Sequence, residues 1–267
     1  HCNDYYDLVS QAEYLEPNIL LVTLNRNNRY NALNHAMLDE LNDFYQSLKN
    51  DRETRVVILY GGDAKGFCAG MDVAEGLTEE EKEAYGFYAY QTRMGEIQLH
   101  MHQAPQPIIA AIHGAAAGAG FSFAMSSDIR IITEDAKFSA FYMNVGIGGA
   151  DMCSSYKLPR LIGTGRAYEI LLTGDFFSAE EAMNLGFASR CVKTKADLIP
   201  EALKIARKIA SKNPLAVRLT KEALNINVDA AGFENALAVE NRNQTIMVLN
   251  NLKYTDNPIG KHLIEER

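Results

Sequence analysis

The chain has 267 residues, 47% hydrophobic and 22% charged, with a formal net charge of −8 and a pI near 5.3. That length and apolar content can bury a sizeable core as one large domain with a small appendage. No run of about 18 apolar residues is present to span a membrane. The negative charge disfavours generic nucleic-acid binding and repels a polyanionic ligand unless positive charge is gathered locally. Cys2, Cys68, Cys153 and Cys191 form no C-x-x-C pair and no metal spacing, so they read as free thiols in a reducing, cytoplasmic compartment. No basic segment leading into an apolar stretch opens the chain, and no secretory leader is expected.

Ile19–Leu24 reads as a strand, followed by a polar turn over Asn25–Tyr30. A helix capped at Asn34 comes next, with Met37, Leu41, Phe44 and Leu48 spaced to share one face. Arg55–Leu59 is a β-rich run ending at Gly61-Gly62, and Glu79–Met101 is a mixed but helical stretch. Pro107–Ile112 and Ile129–Ile132 are short buried strands flanking a Gly/Ala-rich segment. Arg166–Leu172, Ala179–Leu185, Asp197–Lys212, Pro214–Asn225 and Glu234–Leu249 have helical spacing. Strands alternate with helices up to about Lys195, after which the pattern is all helical, so the class is α/β with a helical tail. A tail without a sheet of its own must pack on its own core or on a neighbouring subunit.

Two glycine-rich corners follow β-rich runs and precede helices: Gly66-Phe67-Cys68-Ala69-Gly70-Met71-Asp72, and His113-Gly114-Ala115-Ala116-Ala117-Gly118-Ala119-Gly120 running into Phe121–Asp128. Small residues let backbone approach a ligand closely, and unpaired N–H groups at a helix start can face developing negative charge. Two such groups converging on one carbonyl oxygen make an oxyanion hole, in which one donor is worth roughly 3 kcal/mol. Either corner alone reads more readily as an ordinary turn with close helix–strand packing.

Taken together the corners resemble the enoyl-CoA hydratase/isomerase (crotonase) superfamily. The resemblance rests on Leu24-Asn25-Arg26 with Asn31-Ala32-Leu33, Phe67–Asp72, Pro107–Gly114, Ser127-Asp128-Ile129-Arg130, Leu158–Gly163 and Leu171-Leu172-Thr173-Gly174, in order, from about Leu20 onward. It implies a spiral of ββα units over residues 1–195 carrying an acyl-CoA site, and a helical trimerisation region over residues 196–267. It further implies a homotrimer or a dimer of trimers, with CoA entering only as part of the substrate and no other cofactor or metal. The implied oxyanion donors are the backbone N–H groups of Met71 and Ala119. CoA would lie bent with its adenine near the first corner, which assigns Arg29, Ala32, Ala69, Gly70, Asp72, Gly118 and Ser122 to substrate binding.

Hydratases of this superfamily carry two glutamates, and the matching positions here are Ser122 and Tyr142. Both carboxylates are missing, so hydration by a glutamate pair is not supported. A carboxylate comes slightly later, in Gly146-Ile147-Gly148-Gly149-Ala150-Asp151. In an apolar pocket Asp151 would have its pKa raised into range for proton transfer, or it could act as a nucleophile. It also fits a solvated loop or a cap for the helix holding Ser154 and Ser155. Relatives that isomerise dienoyl-CoA, hydrolyse β-diketones or dehalogenate chlorobenzoyl-CoA place an Asp in this loop. The dehalogenases also share the aromatic residue at Tyr142 and the Ser155-Tyr156 pair, but their catalytic histidine aligns with Leu99, one residue from His100.

Tyr142 reads as a substrate contact, an acid or core packing, and its ordinary pKa near 10 makes it a poor base. Ser122 is a water holder or a small filler, and His113 a structural hydrogen-bonder. Asp72 either caps the next helix or contacts the CoA end. Glu240 is a candidate second acid, or part of a solvated or intersubunit helix face. Arg26, Arg29 and Lys261 could meet CoA phosphates or be ordinary surface charges. The leading expectation is an enoyl-CoA hydratase/isomerase-type enzyme with Asp151 as acid/base. The alternatives are dienoyl-CoA isomerisation, C–C hydrolysis, dehalogenation, or a non-catalytic acyl-CoA-binding scaffold.

Overall fold

A computed structural model describes residues 10–251, so Cys2 and Lys261 lie outside the described residues. The strands are β1 (Ser10–Glu16), β2 (Ile19–Leu24), β3 (Val56–Tyr60), β4 (Ile108–Ile112), β5 (Ala115–Ala117), β6 (Ile129–Thr133), β7 (Lys137–Ser139), β8 (Phe177–Ser178) and β9 (Arg190–Val192). The α-helices are α1 (His35–Ser47), α2 (Ala84–Gln103), α3 (Ala119–Ser126), α4 (Ser154–Ile162), α5 (Thr164–Thr173), α6 (Ala179–Asn184), α7 (Leu198–Ala210), α8 (Pro214–Asn227) and α9 (Phe233–Asn251). The expected elements all form, with ends moved by a few residues. Unexpected from the sequence are β1, a polar antiparallel edge, and the small sheet, whose strands are too short to show a period.

Six strands make one sheet in the order β1-β2-β3-β4-β6-β9, with every pair after β1–β2 parallel. Alternate residues of its strands face two different cores. Ile19, Leu21, Val56, Ile58, Ile109, Ala111 and Ile131 face α7, which buries Leu198, Ala202 and Ala206 against them. Leu20, Val22, Val57, Leu59, Ile108, Ala110 and Ile112 join the larger core with the inner faces of α1 to α5. A parallel sheet covered on both faces explains why its strands read as continuous apolar runs.

The chain repeats one pattern: a strand in the large sheet, a short second strand, then a helix. β4, β5 and α3 form one such turn. β5 pairs with β7, and single bridges join Cys68 to Ala116 and Leu33 to Met71, so the second strands stack from one turn to the next. This is the expected ββα spiral. Buried Arg130 ties α3 to β6 by donating to the carbonyls of Ala124 (3.2 Å), Ser127 (2.5 Å) and Phe187. The Ser127–Arg130 segment is therefore architectural.

The chain divides into two compact units at Ala210/Ser211. This differs from the expected 195/196 division, since α7 packs on one face of the first unit's sheet. In the second unit, Asn213 caps α8 ahead of Pro214, and Asn243 of α9 donates to the Leu219 carbonyl at 3.2 Å. Among the described residues no helix is long and apolar enough to cross a membrane.

Candidate active site

The two glycine corners follow parallel strands β3 and β4 and lie against each other. Cys68 N–H donates to Ala115 O at 3.2 Å, and Ala117 N–H to Cys68 O at 3.0 Å. On the other edge of the first corner, Leu33 N–H donates to Gly70 O at 2.7 Å and Asp72 N–H to Leu33 O at 2.8 Å. Backbone groups of an extended segment alternate in direction, so Met71 N–H points away from Leu33. Ala119 is the first residue of α3, where N–H groups have no intrahelical acceptor. Among the described residues neither amide has a recorded acceptor, and both residues line the same cavity of about 410 Å³. Gly70 (φ +99°) and Gly118 (φ +54°) make this approach possible. A Cβ on Gly70 would stand 3.1 Å from Ala117 O and 3.4 Å from Ala119 N.

Asp151 is half-buried in the wall of that cavity. Its Oδ1 accepts the Met152 N–H at 2.8 Å and the Gln91 side-chain amide. Burial pushes its carboxyl above the usual range, and these two donors only partly offset that. The loop is held by Ser154, whose hydroxyl accepts Asp151 N–H at 3.0 Å and donates to Gly149 O at 2.9 Å. Asp151 is not the cap of α4; the Ncap position is Cys153, without a side-chain cap bond. Met152 (φ +43°) and Cys153 (φ +71°) are consecutive left-handed residues, a strain of the kind concentrated at functional loops.

Asp72 also lines the cavity, in the opposite electrostatic state. Burial acts to raise its pKa, but Arg26, paired with it at 2.8 Å, and the Ala74 N–H hold the carboxyl below its ordinary range. The two carboxylates are thus driven apart, one kept ionised and one able to take a proton, a pattern that separates structural from acid/base roles.

Tyr142 meets the cavity, and its hydroxyl is 2.6 Å from Ser122 Oγ. Burial raises its pKa strongly, so it is a neutral hydroxyl that can donate. Ser122 is fully buried and does not line the cavity. The expected assignment of Ser122 to the substrate site therefore differs from its position, with its hydroxyl against that of Tyr142. Arg29, Ala32, Ala69, Gly70 and Gly118 all line the cavity. Glu240 belongs to the second unit, where it accepts a long 3.5 Å bond from Asn227. Leu99 is exposed, and neither it nor His100 lines the cavity, so the histidine a dehalogenase would need has no counterpart there. His113 donates through Nε2 to Ala64 O at 2.8 Å, and burial lowers its pKa, as a structural histidine requires.

Gln91 was not among the expected site residues. With Phe87 and Met94 it forms the i, i+4, i+7 face of α2 that lines the cavity. That spacing was available in the sequence, but apolar and polar residues are mixed round the helix, so nothing singles out this stripe.

The family model for enoyl-CoA hydratase/isomerase matches residues 15–252. A probable enoyl-CoA hydratase of Mycobacterium leprae is 31% identical over 91% of this chain and 84% of its own length. A crotonyl-CoA hydratase of Syntrophomonas wolfei is 34% identical over 84% of each chain. The crystal structure of an enoyl-CoA hydratase of Bacillus anthracis superimposes with a TM-score of 0.84 at 32% identity, covering 97% of this chain and 96% of that one. With the ββα spiral and paired glycine corners in place, the chain belongs to the enoyl-CoA hydratase/isomerase (crotonase) family of enzymes.

Proposed function

We propose that this enzyme binds an acyl-CoA thioester, with its carbonyl oxygen between the Met71 and Ala119 amides and Asp151 as the acid/base. Proton abstraction from the acyl chain by the Asp151 carboxylate sends the electron pair into the thioester carbonyl, giving an enolate. The two amides stabilise the oxygen that becomes negative. Asp151, now protonated, returns the proton at another carbon as the carbonyl re-forms. The observation that carries this reading is one cavity lined by two amides without acceptors and one carboxyl with a raised pKa. Catalysis is favoured over a passive scaffold because binding alone needs neither.

A second observation favours double-bond isomerisation over hydration. Asp72 and Asp151 are the carboxylates lining the cavity among the described residues, and Asp72 is engaged by Arg26. Moving a proton needs one base that takes and returns it; adding water needs a second group to activate the water. C–C hydrolysis of a cyclic β-ketoacyl-CoA has the same need for water and ranks behind isomerisation. Assembly as a homotrimer or dimer of trimers is supported by α8 and α9, which expose Leu224, Ile226, Phe233, Leu237, Ile246 and Leu249.

The test is Asp151→Ala against crotonyl-, dienoyl-, β-ketoacyl- and cyclic enoyl-CoA. Loss of a general acid/base lowers kcat by about 10²–10⁴-fold, with CoA affinity nearly unchanged. Unaltered turnover on a substrate the parent enzyme converts removes Asp151 from the chemistry.

A further inference from the structure

The side-chain amide of Gln91 and the backbone N–H of Met152 both donate to the same oxygen of Asp151, Oδ1. Among the described residues Oδ2 has no recorded donor. Each donor stabilises the ionised carboxylate and occupies a position a proton would otherwise take. The two carboxyl oxygens are therefore not equivalent: Oδ1 is held by protein, and Oδ2 is left for chemistry.

We propose that Gln91 is the positioning residue for Asp151, fixing the carboxylate's rotation so that Oδ2 is the oxygen that exchanges protons with the substrate. This inference rests on the proposed acid/base role of Asp151 and adds the group that aims and tunes it. Gln91 is suited to this by its support. Its neighbour Tyr90 packs its ring on His35 with centroids 5.2 Å apart. On the other side, the Arg93 carbonyl accepts from Asn42 of α1 at 2.8 Å, and the Arg93 guanidinium pairs with Asp39. α2 is thus fastened to α1 on both sides of Gln91, so the amide reaches Asp151 from a fixed base. A catalytic group held from rigid helices keeps its geometry better than one on a loop, and Asp151 is on a loop.

The amide also offsets burial. Asp151 lies in a wall of Phe87, Met94, Tyr142 and Met152, which favours the neutral acid, and the Gln91 amide acts against that. The titratable groups near it are Tyr142, which is neutral, and Cys153, whose thiol burial keeps protonated; Asp72, paired with Arg26, and Arg29 line the same cavity. Lys157, near Cys153, pairs with His102 at 3.1 Å. None of these donates a recorded hydrogen bond to Oδ1.

The experiment compares Gln91→Leu, Gln91→Lys and Asp151→Asn with the parent enzyme, on whichever acyl-CoA of the panel above the parent converts. Kinetics are measured across pH, and the Asp151 carboxyl is titrated by ¹³C NMR without substrate. Gln91→Leu is expected to lower kcat about 10–100-fold, with KM within threefold, and to move the acid limb of kcat and the NMR titration up by about one pH unit, as loss of one charge-assisted hydrogen bond should. Gln91→Lys is expected to move both below the parent. Opposite displacements by Leu and Lys cannot come from a packing role alone. If the NMR titration is the same in all three Asp151-containing enzymes, or Gln91→Leu keeps parental kcat, the inference is overturned. If instead Asp151→Asn keeps full turnover, the acid/base reading fails whatever Gln91 does.

Discussion

Gly70→Ala tests the oxyanion geometry without removing any functional group. Gly70 has φ +99°, outside the small left-handed region open to L residues, so any side chain there is strained by about 1–3 kcal/mol. The new methyl would also stand 3.1 Å from Ala117 O, 3.4 Å from Ala119 N and 3.5 Å from Gly118 Cα. The second of these is one of the two proposed donors, and Met71, next in sequence, carries the other. Relief of the contact must part the two corners by a few tenths of an ångström; a misplacement of about 1 Å can cost about 10²-fold in kcat, so a fall of up to about that size is expected. Gly76→Ala supplies the control: φ is +76°, but nothing lies within 4 Å of its Cβ, and Gly76 does not line the cavity. Steady-state kinetics and urea unfolding of the two variants are the assay. Both should lose about 1–3 kcal/mol of stability, while only Gly70→Ala loses turnover. Parental kcat in a folded Gly70→Ala protein would refute the placement of the thioester oxygen between these corners.

Asn31 and His35 give two further predictions. Asn31 is fully buried with φ +54°; its amide donates to Gly61 O at 2.8 Å and Phe67 O at 2.9 Å, and its Oδ1 accepts Arg26 N–H at 3.0 Å. Asn31→Ala strands three backbone groups, two in buried and one in a part-buried bond, and chemical denaturation should show a loss of about 2–5 kcal/mol; a loss below about 1 kcal/mol would show the network to be dispensable. His35 sits between Glu75 (2.8 Å) and Glu81 (3.0 Å). Burial acts to lower its pKa, but bonds to Glu81 and Glu75 raise it above its ordinary value, so its contribution is present below the unfolded pKa and is lost as pH rises through the folded one. Glu81 has the opposite sign: burial acts to raise its pKa, but the Thr78 N–H and His35 hold it below its ordinary value, so its contribution is lost as pH falls through the folded pKa. Stability from this cluster should peak between the two, and His35→Ala should flatten that dependence with a loss of no more than about 1 kcal/mol, since the pair is partly solvated. An unchanged pH–stability curve in that variant would show the pairs to be without effect.

Elements whose signal is local can be read from the residues alone. Ile19–Leu24 and Ile108–Ile112 are strands because a sheet buried on both faces needs unbroken apolar runs. Asn34 caps α1 by accepting Met37 N–H at 3.1 Å, a bond that reaches only three residues along the chain. The glycine corners were legible because positive φ and close backbone approach leave few other residues possible. The missing glutamates and the nearby Asp151 could be read as letters, but not what those letters touch. Long-range folding is what sets the Ser122 hydroxyl against Tyr142, holds Asp72 ionised beside Arg26 forty-six positions away, and brings Gln91 to Asp151 across sixty. A pKa is set by burial and by partners from distant turns of the spiral, and neither quantity exists until the chain has closed on itself.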